Sequence, residues 1–595
     1  NVFRVNGRAS LTVLAGRHAS LCTFFNAFPA GYWRRWTRVD AVQFSARVRG
    51  RGTIMLFRSS GRGLFEPAGT IDVNAPTRAT TVRAELAMTG LMDGGFFWFD
   101  AKAGDGDDLT IEDAAWSVPV EARRGGDGTL SIAITTFNRA PYCLNQLKAI
   151  AGDANVRGRL DTIYCTDQGT DLVRDEPGFA AVEKDLGSQL TYMRQRNMGG
   201  SGGFARGMYE TVKAGKSDYT LLLDDDAISE PESIMRAVQF ADYCTRPTIV
   251  GGGMFHLDNR TMLYTLGERY NRASYWTQPA AGLEYNHDFA TQPLRDSPKL
   301  HRRADSDFNG WWMCLIPTQI MREIGLAQPL FIKFDDVDYG LRAEDHGYHT
   351  VCLPGVAVWH QAWHAKDPSR TWEGYYLYRN HWICSLLHCT KPSWHFLYGM
   401  LFDDAKAGVE LVYSAMHLHH LALRDIMRGP DYIADTLATK LGDVRKAREG
   451  FPDSETTRNR DDFPTPKAEY IANMKPRPSM IDVRLQAMKT IAKAFVSRGN
   501  GMRDTQPDLL IPSRDASWPA YAGVNSAVVT SPDGDSVAWL RRDSKLYRQQ
   551  TMRGLFLAKE LLKRWESLAK EYQNSDMASF EAWAKVFEDP ANQLQ

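Results

Sequence analysis

The apolar run Leu221-Leu222-Leu223 ends in three carboxylates, Asp224-Asp225-Asp226. Side chains alternate along a strand, so Asp224 and Asp226 can point the same way. Two converging carboxylates suit a hard divalent cation, Mn2+ or Mg2+, because such ions take oxygen ligands. A cation there could bridge a diphosphate and neutralise a leaving group. The plainer alternative is a solvated acidic loop that caps a helix, with Ser229 and Glu232 assisting. A second acidic group lies in Phe331-Ile332-Lys333-Phe334-Asp335-Asp336-Val337-Asp338-Tyr339-Gly340, just before a helix expected over 339–346. One carboxylate could cap that helix and another act as a general base, since crowding raises at least one pKa. Caps and salt bridges alone are the competing reading. His360, in Val358-Trp359-His360-Gln361-Ala362-Trp363-His364, is either structural or a third ligand for the Asp224–Asp226 ion.

Two further segments read as binding surfaces. Asn197-Met198-Gly199-Gly200-Ser201-Gly202-Gly203 follows a strand and opens a helix. Its glycines permit close backbone approach, and helix N-terminal amides favour anions. It is neither a dinucleotide fingerprint nor a P-loop, and a tight turn is the alternative. In Phe308-Asn309-Gly310-Trp311-Trp312 the indoles either stack on sugar faces or fill a core. His301, Arg302 and Arg303 just upstream can meet anionic groups or simply solvate a loop.

The elements that must carry these groups follow from periodicity. Val42-Gln43-Phe44-Ser45-Ala46-Arg47-Val48 and Val82-Arg83-Ala84-Glu85-Leu86-Ala87-Met88 alternate apolar and polar residues, so residues 1–128 read as a β-sandwich or barrel domain. A Gly-rich loop at 123–128 marks its end. Short apolar runs such as Leu130-Ser131-Ile132-Ala133-Ile134 then alternate with helical stretches. That order predicts an α/β domain over 129–385 with a mainly parallel sheet. Residues 386–595 read as mostly helical, with Leu555, Ala558, Leu562, Trp565, Leu568 and Tyr572 at helix spacing. The polar, Pro-rich stretch 449–478 reads as a linker or long loop.

Composition narrows the class. Lys+Arg and Asp+Glu both total 71, so the chain has no net charge and lacks the basic footprint of a nucleic-acid binder. The eight cysteines form no CxxC pair and read as reduced, mostly buried thiols of a cytosolic protein. No apolar run approaches the roughly 18 residues of a membrane span.

Taken together, the chain resembles the polymerising galactofuranosyltransferases that build the galactan of arabinogalactan. The resemblance runs from Thr23-Phe24-Phe25-Asn26-Ala27-Phe28-Pro29-Ala30-Gly31-Tyr32-Trp33-Arg34-Arg35-Trp36 through Thr136-Phe137-Asn138-Arg139, Asp167-Gln168-Gly169, the Gly199 loop and Asp224–Asp226. It continues through Asn309-Gly310-Trp311-Trp312, 333–340 and 360–363. It departs from the family pattern at Phe334, where Trp is usual, and at Leu377, where His is usual. The resemblance implies a GT-A (Rossmann-like) catalytic domain between the β-domain and the helical domain, in a homotetramer. It implies a Mn2+ or Mg2+ ion held by Asp224, Asp226 and His360, and Asp336 as general base. Arg139, Gln168, Asn197, Asp225, Lys333 and Trp363 would line the site for UDP-galactofuranose. Glu268, Trp311, Trp312 and Asp335 would face the acceptor, a polyprenyl-diphosphate-linked galactan. The implied reaction inverts the anomeric carbon and lays down alternating β-(1→5) and β-(1→6) links. The implied location is cytoplasmic, peripheral on the inner face of the cell membrane. Ile481, Leu485, Met488, Ile491 and Phe495, beside Arg484, Lys489, Lys493 and Arg498, could form a basic amphipathic docking helix or pack inward. A transferase for another sugar, and a carbohydrate-binding protein with a dead transferase domain, are the competing functions.

Overall fold

The computed structural model describes residues 2–361, 367–471 and 480–594, the last stretch without the side chains of 480–484. The first seven strands are β1 (Phe3–Gly7), β2 (Ser10–Val13), β3 (His18–Ser20), β4 (Ala41–Ser59), β5 (Phe65–Ala87), β6 (Phe97–Ala103) and β7 (Leu109–Ser117), with α1 (Ala30–Trp36) after β3. They form one antiparallel sheet in the order β1-β2-β7-β4-β6-β3, with β5 paired to β4. The long β4 pairs with β7 along its first half and with β6 along its second. The sheet folds on itself like a sandwich, and Phe44 of the first half meets Phe99 of the second at 4.9 Å. Val42, Phe44, Ala46 and Val48 are all buried, as the period of two predicts.

The central domain alternates strand and helix. Its elements are β8 (Leu130–Thr136), α2 (Ala140–Ala151), α3 (Ala154–Arg159), β9 (Leu160–Asp167), α4 (Phe179–Leu186), β10 (Leu190–Arg194), α5 (Gly199–Ala214), β11 (Tyr219–Asp224), β12 (Ile228–Ser229) and α6 (Pro231–Tyr243). There follow β13 (Thr248–His256), β14 (Met262–Thr265), β15 (Glu268–Asn271), β16 (Trp276–Pro279), β17 (His287–Asp288), α7 (Pro298–His301), β18 (Met313–Pro317), α8 (Thr318–Ile324), α9 (Asp335–Asp345) and β19 (His349–His360). Strands β10, β9, β8 and β11 run parallel, β18 is antiparallel, and β13 and β19 run parallel to each other. Every residue of β8 and β13 is buried, which explains why neither strand alternates apolar and polar residues. Helix α5 lies directly on β8. A side chain at Gly203 would collide with Oγ1 of Thr135, and one at Gly207 with Cβ of Ala133.

The last domain holds α10 (Glu373–His388), α11 (Trp394–Val409), α12 (Tyr413–Ile426), α13 (Pro430–Asp435), α14 (Lys440–Arg448), α15 (Met480–Val496), α16 (Ser544–Gln573) and α17 (Phe580–Glu588). It also carries a five-stranded sheet of β20 (Thr456–Thr457), β21 (Ala468–Glu469), β22 (Leu509–Ile511), β23 (Ser526–Thr530) and β24 (Val537–Arg541). The stretch read as a linker therefore contributes β20 and β21 to a sheet. One core joins the N-terminal sheet to one face of the catalytic sheet, and a second joins its other face to the C-terminal helices. The expected docking face of α15 divides. Ile491 and Phe495 pack on a third core, while Leu485 and Met488 stay exposed. No helix among the described residues is long and apolar enough to cross a membrane. Seven cysteines are buried and Cys389 is half-buried.

Candidate active site

Asp224 ends β11, Asp226 lies in the turn beyond it, and His360 ends β19. The short antiparallel pairing of Ile228 with Trp359 and Ser229 with Val358 draws these two strand ends together. One ligand atom from each of the three residues lies within 4.8 Å of the others. Nε2 of His360 is 3.0 Å from Asp226 and 3.7 Å from Asp224. Its Nδ1 is 2.9 Å from the Gln361 carbonyl, which orients the ring and leaves Nε2 toward the acids. Burial alone would lower the His360 pKa, but the Asp226 hydrogen bond and the two carboxylate charges raise it. Asp225 is pushed up to about 8, first by burial and then by Asp226. A divalent cation would relieve this crowding, and two carboxylates with an oriented imidazole fit one. Gln146 of α2 braces the turn, donating to the Asp224 carbonyl (3.2 Å) and accepting from Ser229 (2.8 Å).

The second acidic group is sorted by its partners. Asp338 is fully buried and bound to Arg342 (2.7 Å) and His388 (3.1 Å), partners that outweigh burial and hold its pKa below the usual value. Asp335 is buried and accepts the Ser201 hydroxyl at 2.8 Å. Asp336 is half-buried and accepts the amide of its neighbour Val337 at 2.8 Å. Burial, then the charges of Asp335 and Glu268, raise its pKa well above the usual carboxylate value. None of the three is the expected cap. The helix starts at Asp335, and its cap is Phe334, with a left-handed φ of 67°. Phe331 (φ 73°) and Lys333 (φ 68°) are left-handed too. Such conformations cost roughly 1–2 kcal/mol each in residues other than glycine, so something must hold the segment. Asn380 Nδ2 donates to the carbonyls of Leu330 (2.9 Å), Ile332 (2.6 Å) and Lys333 (3.1 Å). Arg379 donates to Leu330 (2.8 Å) and to Asn380 Oδ1 (2.8 Å), and both residues are buried.

A hydrogen-bonded path links the two acidic groups. Asp224 lies opposite Thr135 in the sheet. Gln168 donates to Thr135 (3.2 Å) and to the Gly199 carbonyl (2.9 Å), and accepts from the Met198 amide (2.8 Å). Two residues on, Ser201 donates its amide to Phe331 (3.0 Å) and its hydroxyl to Asp335. Gln168 thus ties the 197–203 loop to the end of β8. The loop glycines differ from expectation. Gly199 packs on the Phe331 carbonyl and Gly203 on Thr135, while Gly200 alone of the five-residue stretch 199–203 is a glycine facing open space.

Other expected residues fall as follows. Arg139 is exposed where α2 begins, its guanidinium over Tyr142. Asn197 accepts the Gly199 amide at 2.9 Å. Lys333 lies 3.7 Å from Glu373. Glu268 is buried, takes the Tyr285 hydroxyl at 2.7 Å, and is pushed up to about 7 by burial. Trp311 and Trp312 are both buried. Trp311 packs edge-on against Phe204 (5.5 Å), and Trp312 donates to the Gly252 carbonyl (2.8 Å). The two indoles expected to face the acceptor enter different cores, Trp311 that of the C-terminal helices and Trp312 that of the N-terminal sheet. Trp363 lies outside the described residues. Gln146, Ser201, Arg379 and Asn380 carry the support that sequence reasoning missed. No periodicity marks them: Ser201 sits among glycines, Arg379 and Asn380 are adjacent, and Gln146 follows Asn145.

Residues 127–385 match the family described as glycosyltransferase like family 2. With its strand-end acids, this domain is that of a GT-A glycosyltransferase. The flanking segments match two further families, galactofuranosyltransferase 2 N-terminal over 1–119 and galactofuranosyltransferase-2, domain 3, over 397–589. The galactofuranosyltransferase GlfT2 of Mycobacterium tuberculosis is 35% identical, covering 98% of this chain and 93% of the relative. That of Mycolicibacterium smegmatis is 34% identical, covering 97% and 90%. The chain belongs to the galactofuranosyltransferase 2 family and is a galactofuranosyltransferase. A solved structure of GalNAc-T7 with UDP, GalNAc and Mn2+ aligns at a TM-score of 0.33 and 12% identity over 46% of this chain and 49% of that one. That likeness is too slight to add to the assignment.

Proposed function

We propose that this chain extends a galactan by moving galactofuranose from UDP-galactofuranose to a polyprenyl-diphosphate-linked glycan, with inversion. The observation that carries this is the convergence of Asp224, Asp226 and His360, joined through Gln168 and Ser201 to the turn bearing Asp336. A Mn2+ or Mg2+ ion held by the three ligands would neutralise the diphosphate of the leaving group. Arg139, Gln168, Asn197, Asp225, Lys333 and Trp363 contact the donor, and Gln168 also holds the 197–203 loop. Asp335, fixed by Ser201, orients the turn. Asp336 accepts the proton of the acceptor hydroxyl as its oxygen bonds to the anomeric carbon and UDP departs. Burial and neighbouring negative charge make Asp336 a stronger base than an exposed carboxylate. Glu268, Trp311 and Trp312 face the acceptor.

The finer expectations belong to this reading: alternating β-(1→5) and β-(1→6) links, a homotetramer, and peripheral attachment at the inner membrane face through Leu485, Met488, Lys489 and Lys493. Residues 1–128, 129–385 and 386–595 are the corresponding units. The test is turnover of Asp336→Ala with UDP-galactofuranose, Mn2+ and a synthetic galactofuranoside. Folding and UDP binding survive and transfer is lost, by about a hundred-fold or more. Substantial residual transfer rejects Asp336 as the base.

A further inference from the structure

The segment that bears Asp336 has a second neighbour. The Phe334 ring stacks on the His381 imidazole at 5.6 Å with 19° between planes. Trp276 of β16 sets its edge against both, at 5.7 Å and 4.9 Å. Trp276 and His381 border a cavity of about 210 Å³ between β16, α10, α11 and α12.

Besides Ser369, Tyr378 and His419, the cavity's polar groups fall into two sets. Arg370 and Glu410 are spent on each other at 3.2 Å, and Arg370 also on the Tyr521 hydroxyl at 2.9 Å. These hold the wall together. The other set keeps hydrogen-bonding capacity. His381 is 6% exposed, yet its Nε2 has no hydrogen-bond partner. Asp403 and Lys406 line the same space without a direct hydrogen bond among the described residues, and, against burial, the charges of His419 and Lys406 favour an ionised Asp403. A buried polar atom left without a partner costs roughly 1–3 kcal/mol, a cost that a ligand supplying the partner removes. Trp276 adds indole surface, 42% exposed. An aromatic face beside a few hydrogen-bonding groups of both signs suits an uncharged polyhydroxylated ring better than an anion or a lipid.

We propose that the cavity bordered by Trp276, His381, Asp403 and Lys406 is a second acceptor subsite that holds an internal furanose unit of the growing chain. Sugar hydroxyls donate to His381 Nε2 and Asp403, and Lys406 donates to a sugar oxygen. The occupant would be covalently continuous with the terminal unit whose hydroxyl meets Asp336, because Phe334, two residues before Asp336, packs on the rings that form the cavity's wall. The proposal rests on the reading of Asp336 as the base.

The full-length His381→Phe and Lys406→Met variants test it, the first keeping the stack on Phe334 and the second changing only a half-buried side chain. The readout is kcat/KM for a trigalactofuranoside divided by kcat/KM for a monogalactofuranoside, with UDP-galactofuranose and Mn2+. The expected result is a fall in that ratio of about ten-fold, the worth of one lost hydrogen bond to a charged or buried group. An unchanged ratio in whichever variant folds overturns the subsite, whether or not overall activity drops. Asp336→Ala is assayed alongside on the monogalactofuranoside. Transfer by that variant refutes the base reading, while the ratio decides the subsite independently.

Discussion

Replacing Asn380 by Leu keeps the branched side-chain shape and removes the amide that reaches Leu330, Ile332 and Lys333. Leu330 keeps the Arg379 donor (2.8 Å), so the carbonyls that lose this partner are those of Ile332 and Lys333, at about 1–3 kcal/mol each. The loss is therefore roughly 2–6 kcal/mol. The three left-handed residues Phe331, Lys333 and Phe334 store about 1–2 kcal/mol each, a total of similar size. With that amide gone, the strain loses most of its counterweight and the segment relaxes. Asp336 then moves with the first turn of α9, and a displacement of about 1 Å at a reacting group can cost about a hundred-fold in rate. The assay is UDP release from UDP-galactofuranose with Mn2+ and a galactofuranoside acceptor, alongside Mn2+ affinity and circular dichroism. The expected outcome is a folded protein with Mn2+ affinity near wild type, since the Asp224, Asp226 and His360 ligands sit on other elements, and kcat reduced about a hundred-fold. A folded Asn380→Leu protein with wild-type kcat would refute the reasoning.

Gln146→Leu removes both braces of the Asp224–Ser229 turn and is expected to weaken Mn2+ binding about ten- to a hundred-fold, read by titrating metal against activity. Wild-type affinity in that variant would show that the turn holds itself. Gly203→Ala and Gly207→Ala overpack α5 against β8 and should each cost about 1–3 kcal/mol in urea denaturation, whereas Gly200→Ala, facing open space, should stay within about 1 kcal/mol of wild type. Equal costs at the three positions would contradict the packing described. The Glu268 carboxyl is raised by burial from 4.5 to about 7, so its contribution to stability is full below about 4.5 and lost as pH rises through about 7. Glu268→Gln carries no such loss, and its denaturation midpoint should drop less than that of wild type between about pH 5 and about pH 8; an identical drop argues against a buried, proton-holding Glu268.

Much of this architecture is legible in the sequence because it rests on local periodicity. The alternation at Val42–Val48 and the run at Leu130–Ile134 each report the burial of a strand, and Asp224 and Asp226 announce themselves by closing such a run. What escapes is tertiary. The start of α9 falls four residues earlier than its composition suggests, because the chain enters it through left-handed Lys333 and Phe334. The group that makes this tolerable, Asn380, lies fifty residues downstream of Leu330. Trp311 and Trp312 look alike as binding or core residues until their packing decides. The five-stranded C-terminal sheet is assembled from strands of two to five residues, too short for a period to show.

The missing side chains of Gly203 and Gly207 have a mechanical consequence. They let one helix lie so close to the sheet that even a methyl group at either position would force the two apart. The strand end that carries Asp224 and the helix that carries Ser201 are thereby kept at one fixed spacing.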